Sequence, residues 1–225
     1  MALASSLEVG TRWKPGGRIT ERNERVEAPE LTSYLQSVRG KLGPKESNNI
    51  TFTDLGDPAL ATLPGGDLIV SLGLLATLED EAQLAFLLAR EDVLEEAGWP
   101  LRRLSSCLRH QGTLLWPSRR RERRAVDELI RLSFRIGYGA RAESLADREG
   151  LGILVRAGYD PAAAPRALRL VEGACLAGKG GRFLLASDRA RWLEEGAEAL
   201  GGGACGLLNR EVYRRAVGGF AVFAH

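Results

Sequence analysis

The stretch LLAREDVLEEAG, residues 87–98, decides how this chain is read. It opens as an apolar amphipathic helix and then turns to charge at Arg90, Glu91 and Asp92. At about 100° per residue, Leu84, Leu87, Arg90, Glu91 and Leu94 share one arc of that helix. A helix that meets a core carries Arg and Glu on its inward stripe only if something there receives them. An unpaired buried charge otherwise costs on the order of several kcal/mol. The alternative is that Arg90 and Glu91 lie on a solvated face.

Working outward, Thr77 and Asp80 have the spacing of a capping box. Glu79, Asp80 and Glu81 suit the positive end of the helix dipole, and Gly98 with Pro100 ends the helix. Upstream, LPGGDLIVSLGLL (63–75) predicts a turn at Pro64-Gly65-Gly66 and a strand over 67–72. Residues 50–54 alternate as a short strand, so a hairpin or small sheet is expected here. A helix from Pro29 to Leu42 carries Leu31, Tyr34, Leu35, Val38 and Leu42 at helical spacing, and Gly43-Pro44 stops it.

Downstream, residues 99–124 form a basic stretch: Arg102, Arg103, Arg109, then the run Arg119–Arg124, in which Glu122 is the lone acid. Helical patterns follow over 125–136 and 140–157, the latter ending at Gly158. Asp160 is placed to cap a further helix with Pro161 at its first position. GKGGR (178–182) reads as a loop, 188–200 as a helix and GGGACG (201–206) as a joint; no internal repeat is present. The expected organisation is an irregular arm over 1–28, a domain over 29–200, and a Gly-rich joint with a C-terminal segment over 201–225 packing on that domain. The fold class is α+β, mainly α-helical, with one small sheet in the N-terminal third.

Composition excludes several classes. The 225 residues are 44% hydrophobic and 27% charged with a net charge of +2. That is ordinary for a globular protein and gives no bulk argument for nucleic acid or an anionic membrane. The 27 glycines and the preference for Arg over Lys point to a GC-rich genome more than to any chemistry. Cys107, Cys175 and Cys205 are widely spaced with no Cys-x-x-Cys, which is neither a disulfide framework nor a thiolate zinc site. No apolar run reaches the ~18 residues that span a bilayer. The polar first thirty residues, broken by Gly10, Pro15, Gly16 and Gly17, do not resemble a signal or transit peptide. The expectation is a soluble chain, either cytoplasmic or trimmed from a secreted or periplasmic protein.

Two segments, GGDLIVSLGLLATLEDEAQLAFLLARE (65–91) and ESLADREGLGILVRAGYDPAAAPRALRLVE (143–172), together resemble the HtpX-like and CAAX-prenyl-protease group of gluzincin zinc metallopeptidases. LTSYLQSVRGKL (31–42) is similar to the first helix of that group, and the resemblance covers roughly residues 30–200. It implies a zincin-like metallopeptidase domain with the small sheet beside the zinc-binding helix. In the group, one helix carries His-Glu-x-x-His, whose two imidazoles bind zinc while the Glu acts as general base. A second helix supplies a further Glu ligand and an Asp that supports the site; the matching positions are Glu143 and Asp147.

The chain departs from that pattern where the chemistry is carried. Arg90-Glu91-Asp92-Val93-Leu94 stands in place of the motif. Arginine has no lone pair for a metal and leucine has no donor. Glu91 would be a vestigial general base, and Arg90, Leu94 and Glu143 vestigial ligand positions. No metal or other cofactor is expected. The guanidinium of Arg90 is expected to replace the cation and pair with Glu143, with Asp147 in support and Leu94 filling the second imidazole's space. The His-Pro usual in the group near LLASDRARWLEE (184–195) is also missing, with Ser187-Asp188 in the region. GKGGR lacks the Ser/Thr of a phosphate loop.

Three functions follow. The first is a non-catalytic metallopeptidase-like domain that binds a protein or peptide partner along a sheet edge, for which strand 67–72 is the candidate. The second is an active zinc metalloendopeptidase with unorthodox ligands such as Asp92, Glu95 or His110. The third is a basic-patch binder of nucleic acid or anionic membrane through the Arg119–Arg124 run, less favoured because no aromatic residues interleave it.

Overall fold

The structure is a computed structural model, and it describes residues 25–44, 49–110, 128, 138–177, 186–200 and 206–220. Residues 1–24 of the arm expected over 1–28, the run Arg119–Arg124, nearly all of the helix expected over 125–136, and the GKGGR loop lie outside the described residues. The described end of that arm is not irregular throughout, since Arg25–Val26 form a strand.

Strand β1 (Arg25–Val26) leads through Pro29, at the first helical position where its missing N–H costs nothing, into α1 (Pro29–Leu42). Strands β2 (Ile50–Thr53), β3 (Leu60–Thr62) and β4 (Leu68–Ser71) follow. The sheet order is β1-β2-β4-β3. β2 and β4 run parallel, pairing Ile50 with Leu68 through Thr53 with Ser71. The outer strands are antiparallel to them. The expected turn at Pro64-Gly65-Gly66 joins β3 to β4, and Gly65 and Gly66 take φ of 97° and 86°, which a side chain would resist.

This order corrects one expectation. The strand expected over 67–72 is β4, an inner strand with both edges paired, and it offers no edge to a peptide. The outer strands are β1 and β3.

The chain leaves β4 directly into the short α2 (Leu72–Thr77), whose first turn is capped by Ser71: its Oγ accepts from Leu74 N at 3.0 Å. Thr77 closes α2 by donating to Gly73 O and does not cap the next helix. The cap of α3 (Glu81–Glu96) is Asp80, whose Oδ1 accepts from Gln83 N at 2.9 Å, and Gln83 Oε1 reaches back to Glu79 N at 2.7 Å. The cap therefore lies three residues further on, and the returning bond of Gln83 goes to Glu79 N, one residue before the cap.

Helix α3 is the axis of the fold, with every residue from Glu81 to Leu94 buried. Leu84, Phe86 and Leu88 enter the main core with Leu31, Leu35 and Val38 of α1 and Phe52, Leu68 and Val70 of the sheet. Helix α4 (Trp99–His110) follows after Gly98, with φ of 72°. Helices α5 (Ala140–Arg156) and α6 (Ala163–Ala177) pack against α3, and α7 (Ala186–Ala199) packs on both of them. Asp160 accepts from Ala162 N at 2.9 Å just before α6, close to the expected cap.

Within the C-terminal segment, residues 207–217 contact the main core. Leu207 pairs with Tyr159, and α8 (Arg210–Val217) buries Tyr213 and Val217 in the main core. The described residues thus form a mainly helical α+β fold with a four-stranded mixed sheet. No described helix is long and apolar enough to cross a membrane.

Candidate functional site

The charged stretch that opened the sequence is buried, which removes the solvated-face alternative. Arg90 is 3% exposed and Glu91 6%. Opposite them, Glu143 and Asp147 lie one turn apart on the inner face of α5 and are equally buried. Arg90 reaches both: Nε donates to Asp147 Oδ1 at 2.7 Å, and Nη2 donates to Glu143 Oε2. The stem of Arg90 crosses α5 at Gly150, where a Cβ would stand 3.0 Å from Arg90 Cγ.

A second arginine closes the group. Arg189 of α7 donates from Nε to Asp147 Oδ2 at 2.6 Å and from Nη2 to Asp147 Oδ1 at 2.7 Å, and its Nη2 lies 3.2 Å from Glu143 Oε2. Glu143 Oε1 accepts from Tyr138 N at 2.9 Å. Two guanidinium groups and two carboxylates therefore balance in a quartet contributed by three helices. Arg189 was not foreseen. Its signal was available: Arg189, Leu193 and Gly196 follow helical spacing, and the buried Ala190, Leu193 and Ala197 mark that side as the inward one.

The electrostatics follow from the balance. Burial opposes the charge on Asp147, but Arg90 and Arg189 outweigh it and hold the carboxyl below its ordinary range. Burial likewise opposes the Arg90 cation and is outweighed by Asp147, Glu143 and Glu91, so the guanidinium stays charged. Glu91 is the charge left over. Burial pushes its carboxyl up to about 7, with Glu143 adding to that and Arg90 opposing it. Glu91 Oε2 accepts from Thr62 N of β3 at 3.0 Å, capping a backbone N–H of the outer strand.

The remaining candidates are placed as follows. Leu94 is buried in a second apolar cluster with Val93, Tyr138, Ala142 and Ala146, the last two from α5. Asp92 points to α1, where it accepts from Arg39 Nη2 at 2.5 Å. Glu95 is half-buried, and His110 is exposed at the end of α4. Asp92, Glu95 and His110 are not brought together with Glu91. Among the described residues, no group of three His, Cys, Asp or Glu is arranged to hold a metal ion. Zinc does not fit this donor set. Arg90 and Leu94 offer no lone pair, and both oxygens of Glu143 are already occupied by N–H donors.

A second buried polar cluster sits at the N-terminal end of α3, where the sequence suggested only a dipole effect. Glu81 is fully buried, and its carboxylate accepts from four donors: Tyr159 Oη at 2.7 Å, Lys41 Nζ at 2.8 Å, Asn209 Nδ2 at 2.8 Å and Tyr34 Oη at 3.0 Å. Burial works against the charge, but these donors prevail and hold the carboxyl below its ordinary range. Glu81 N also donates to Leu208 O at 3.1 Å. The cluster fastens α1, the turn before α6 and the C-terminal segment to one residue.

No protein-family model matches the chain, and no curated protein matches it.

Proposed function

We propose that this chain is a metallopeptidase-like domain whose zinc has been exchanged for an arginine pair, and that it acts by binding a protein or peptide and not by cleaving one. The observation that carries this reading is the position of Arg90. It occupies the place of the first motif histidine and spends its donors on Glu143 and Asp147, the two residues the resemblance assigns to the metal site. Further support comes from the layout: the helix bearing Glu91 runs beside the outer strand β3, and the helix bearing Glu143 faces it. This is the relation a gluzincin-like, zincin-type cleft requires.

In that reading Glu91 no longer activates water. It caps Thr62 N–H on β3, and the partner's route by strand addition lies along β3, beyond that cap. An active peptidase with substitute ligands is the alternative, and the pairing of Asp92 with Arg39 counts against it.

The test is a pair of restorations. The variant carrying Arg90→His and Leu94→His should take up one zinc per chain after incubation and dialysis, while the original chain retains less than about a tenth of an equivalent. A folded double variant that takes up none would show that residues 90, 94 and 143 do not converge as a metal site, and the reading would fall. In parallel, the original chain should hydrolyse denatured casein no faster than its Glu91→Gln variant. Turnover lost on that substitution would establish the peptidase alternative.

A further inference from the structure

Helix α5 has two charged faces. Glu143 and Asp147 point to the quartet. At about 100° per residue, Arg141, Ser144, Leu145 and Arg148 cluster on the opposite side. That outer face forms one wall of a groove of about 730 Å³ whose other wall is Ala97, Trp99 and Arg102 at the start of α4. A groove of this size suits a small molecule.

Its charge is one-sided. Among the described residues, the lining holds three arginines and no carboxylate. Three arginines on other exposed helix faces pair with acids: Arg169 with Glu194, Arg191 with Asp188 and Arg215 with Glu211. Among the described residues, neither Arg102 nor Arg141 has a carboxylate partner, and Arg148 meets only its neighbour Glu149, at 3.2 Å. Arg141 lies in the first turn of α5 and Arg102 in the first turn of α4, which carries no acid there. A cation at the positive end of a helix is unfavourable by itself, so both helix dipoles add to the positive field. The Arg102 guanidinium is stacked 4.8 Å from the Trp99 ring, a pre-set flat platform.

We propose that this groove binds a small organic phosphate that carries a flat ring. The phosphate is received by the guanidinium forks of Arg141 and Arg148 with the Ser144 hydroxyl. The ring lies along Trp99, Arg102 and Leu145. Guanidinium forks match phosphate oxygens two at a time, and the aromatic platform holds any planar base. The site is separate from the quartet and does not depend on the metallopeptidase-like reading.

The experiment is calorimetric titration of the full chain with adenosine monophosphate and with inorganic phosphate at low salt. The nucleotide should bind at least about tenfold more tightly than phosphate. Arg141→Ala should weaken both ligands about tenfold, and Trp99→Leu should bring the nucleotide down to the level of phosphate. Arg141 is exposed, so its loss leaves folding intact; an unchanged melting temperature would show this. Absence of nucleotide binding at millimolar concentration, or binding indifferent to Arg141→Ala, overturns the site. Equal affinity for the two ligands overturns the ring platform. A single-stranded oligonucleotide that binds a hundredfold more tightly than the mononucleotide, with the same Arg141 dependence, overturns the small-ligand form in favour of a nucleic-acid strand.

Discussion

Helix α3 buries charge twice, in two different ways. At its first residue, one carboxylate is surrounded by four donors of which three are neutral: two tyrosine hydroxyls and an amide. About two and a half turns later, at Arg90, two arginines and two acids neutralise one another. The Glu81 cluster replaces the water around an anion. The Arg90 quartet replaces a counter-ion. The difference teaches where each is brittle: a shell of neutral donors degrades one hydrogen bond at a time, whereas a balanced quartet fails as soon as one charge is removed.

The largest expected effect is therefore at Arg90. Arg90→Met leaves Glu143 and Asp147 sharing Arg189, and should cost about 3–5 kcal/mol in urea unfolding. Adding Glu143→Gln restores the charge balance and should recover at least half of that loss. A second substitution that merely adds its own penalty would refute the balanced quartet. Glu81→Gln comes next, at about 2 kcal/mol, because the amide places a donor where four donors converge. Limited proteolysis of that variant should release the segment from 206 onward first. If Glu81→Gln costs more than Arg90→Met, the contrast between the clusters is reversed.

Glu91→Gln should act in the opposite direction and depend on pH. The folded-state carboxyl is raised to about 7, so the original chain binds a proton there more tightly than its unfolded form does. That contribution is fully present below the unfolded value of about 4.3 and is lost as pH rises through 7. The amide should accordingly be neutral near pH 4 and stabilising by up to about 3 kcal/mol at pH 8, read from unfolding midpoints at each pH. A flat difference across that range would mean Glu91 carries no proton penalty. The smallest effect is at Lys41, whose side chain is half exposed: Lys41→Met should cost less than about 1 kcal/mol and fade with added salt.

Local signals carried much of the fold. Proline and glycine marked both ends of α1, the β3–β4 turn and the end of α5, because those residues restrict the backbone without reference to the rest of the chain. What the local pattern could not show was partnership. β4 read as an edge because nothing in residues 67–72 says which strand lies on each side of it. Thr77 read as a cap because its spacing to Asp80 is right, yet it ends α2 while Asp80 begins α3. Arg90 was recognised as out of place in an apolar stripe, and the resemblance named Glu143 as its partner. Arg189 escaped because its segment, Asp188 to Glu195, alternates charge as an exposed helix does, and only the burial of Ala190 and Leu193 betrays its inner side. Glu81 escaped for a similar reason: its donors come from residues 34, 41, 159 and 209, and no single window contains them.

Those separations bear on how the molecule assembles. The quartet joins positions 57, 53 and 42 residues apart, and Asn209 meets Glu81 across 128. Each such closure fixes a long loop before any reward for it is received, a cost that slows folding. The charged side of α3 is therefore expected to stay hydrated until α5, α7 and the C-terminal segment arrive. Desolvation of Arg90 and Glu81 is a late step on the folding route, and the reverse process begins when those neighbours let water back in.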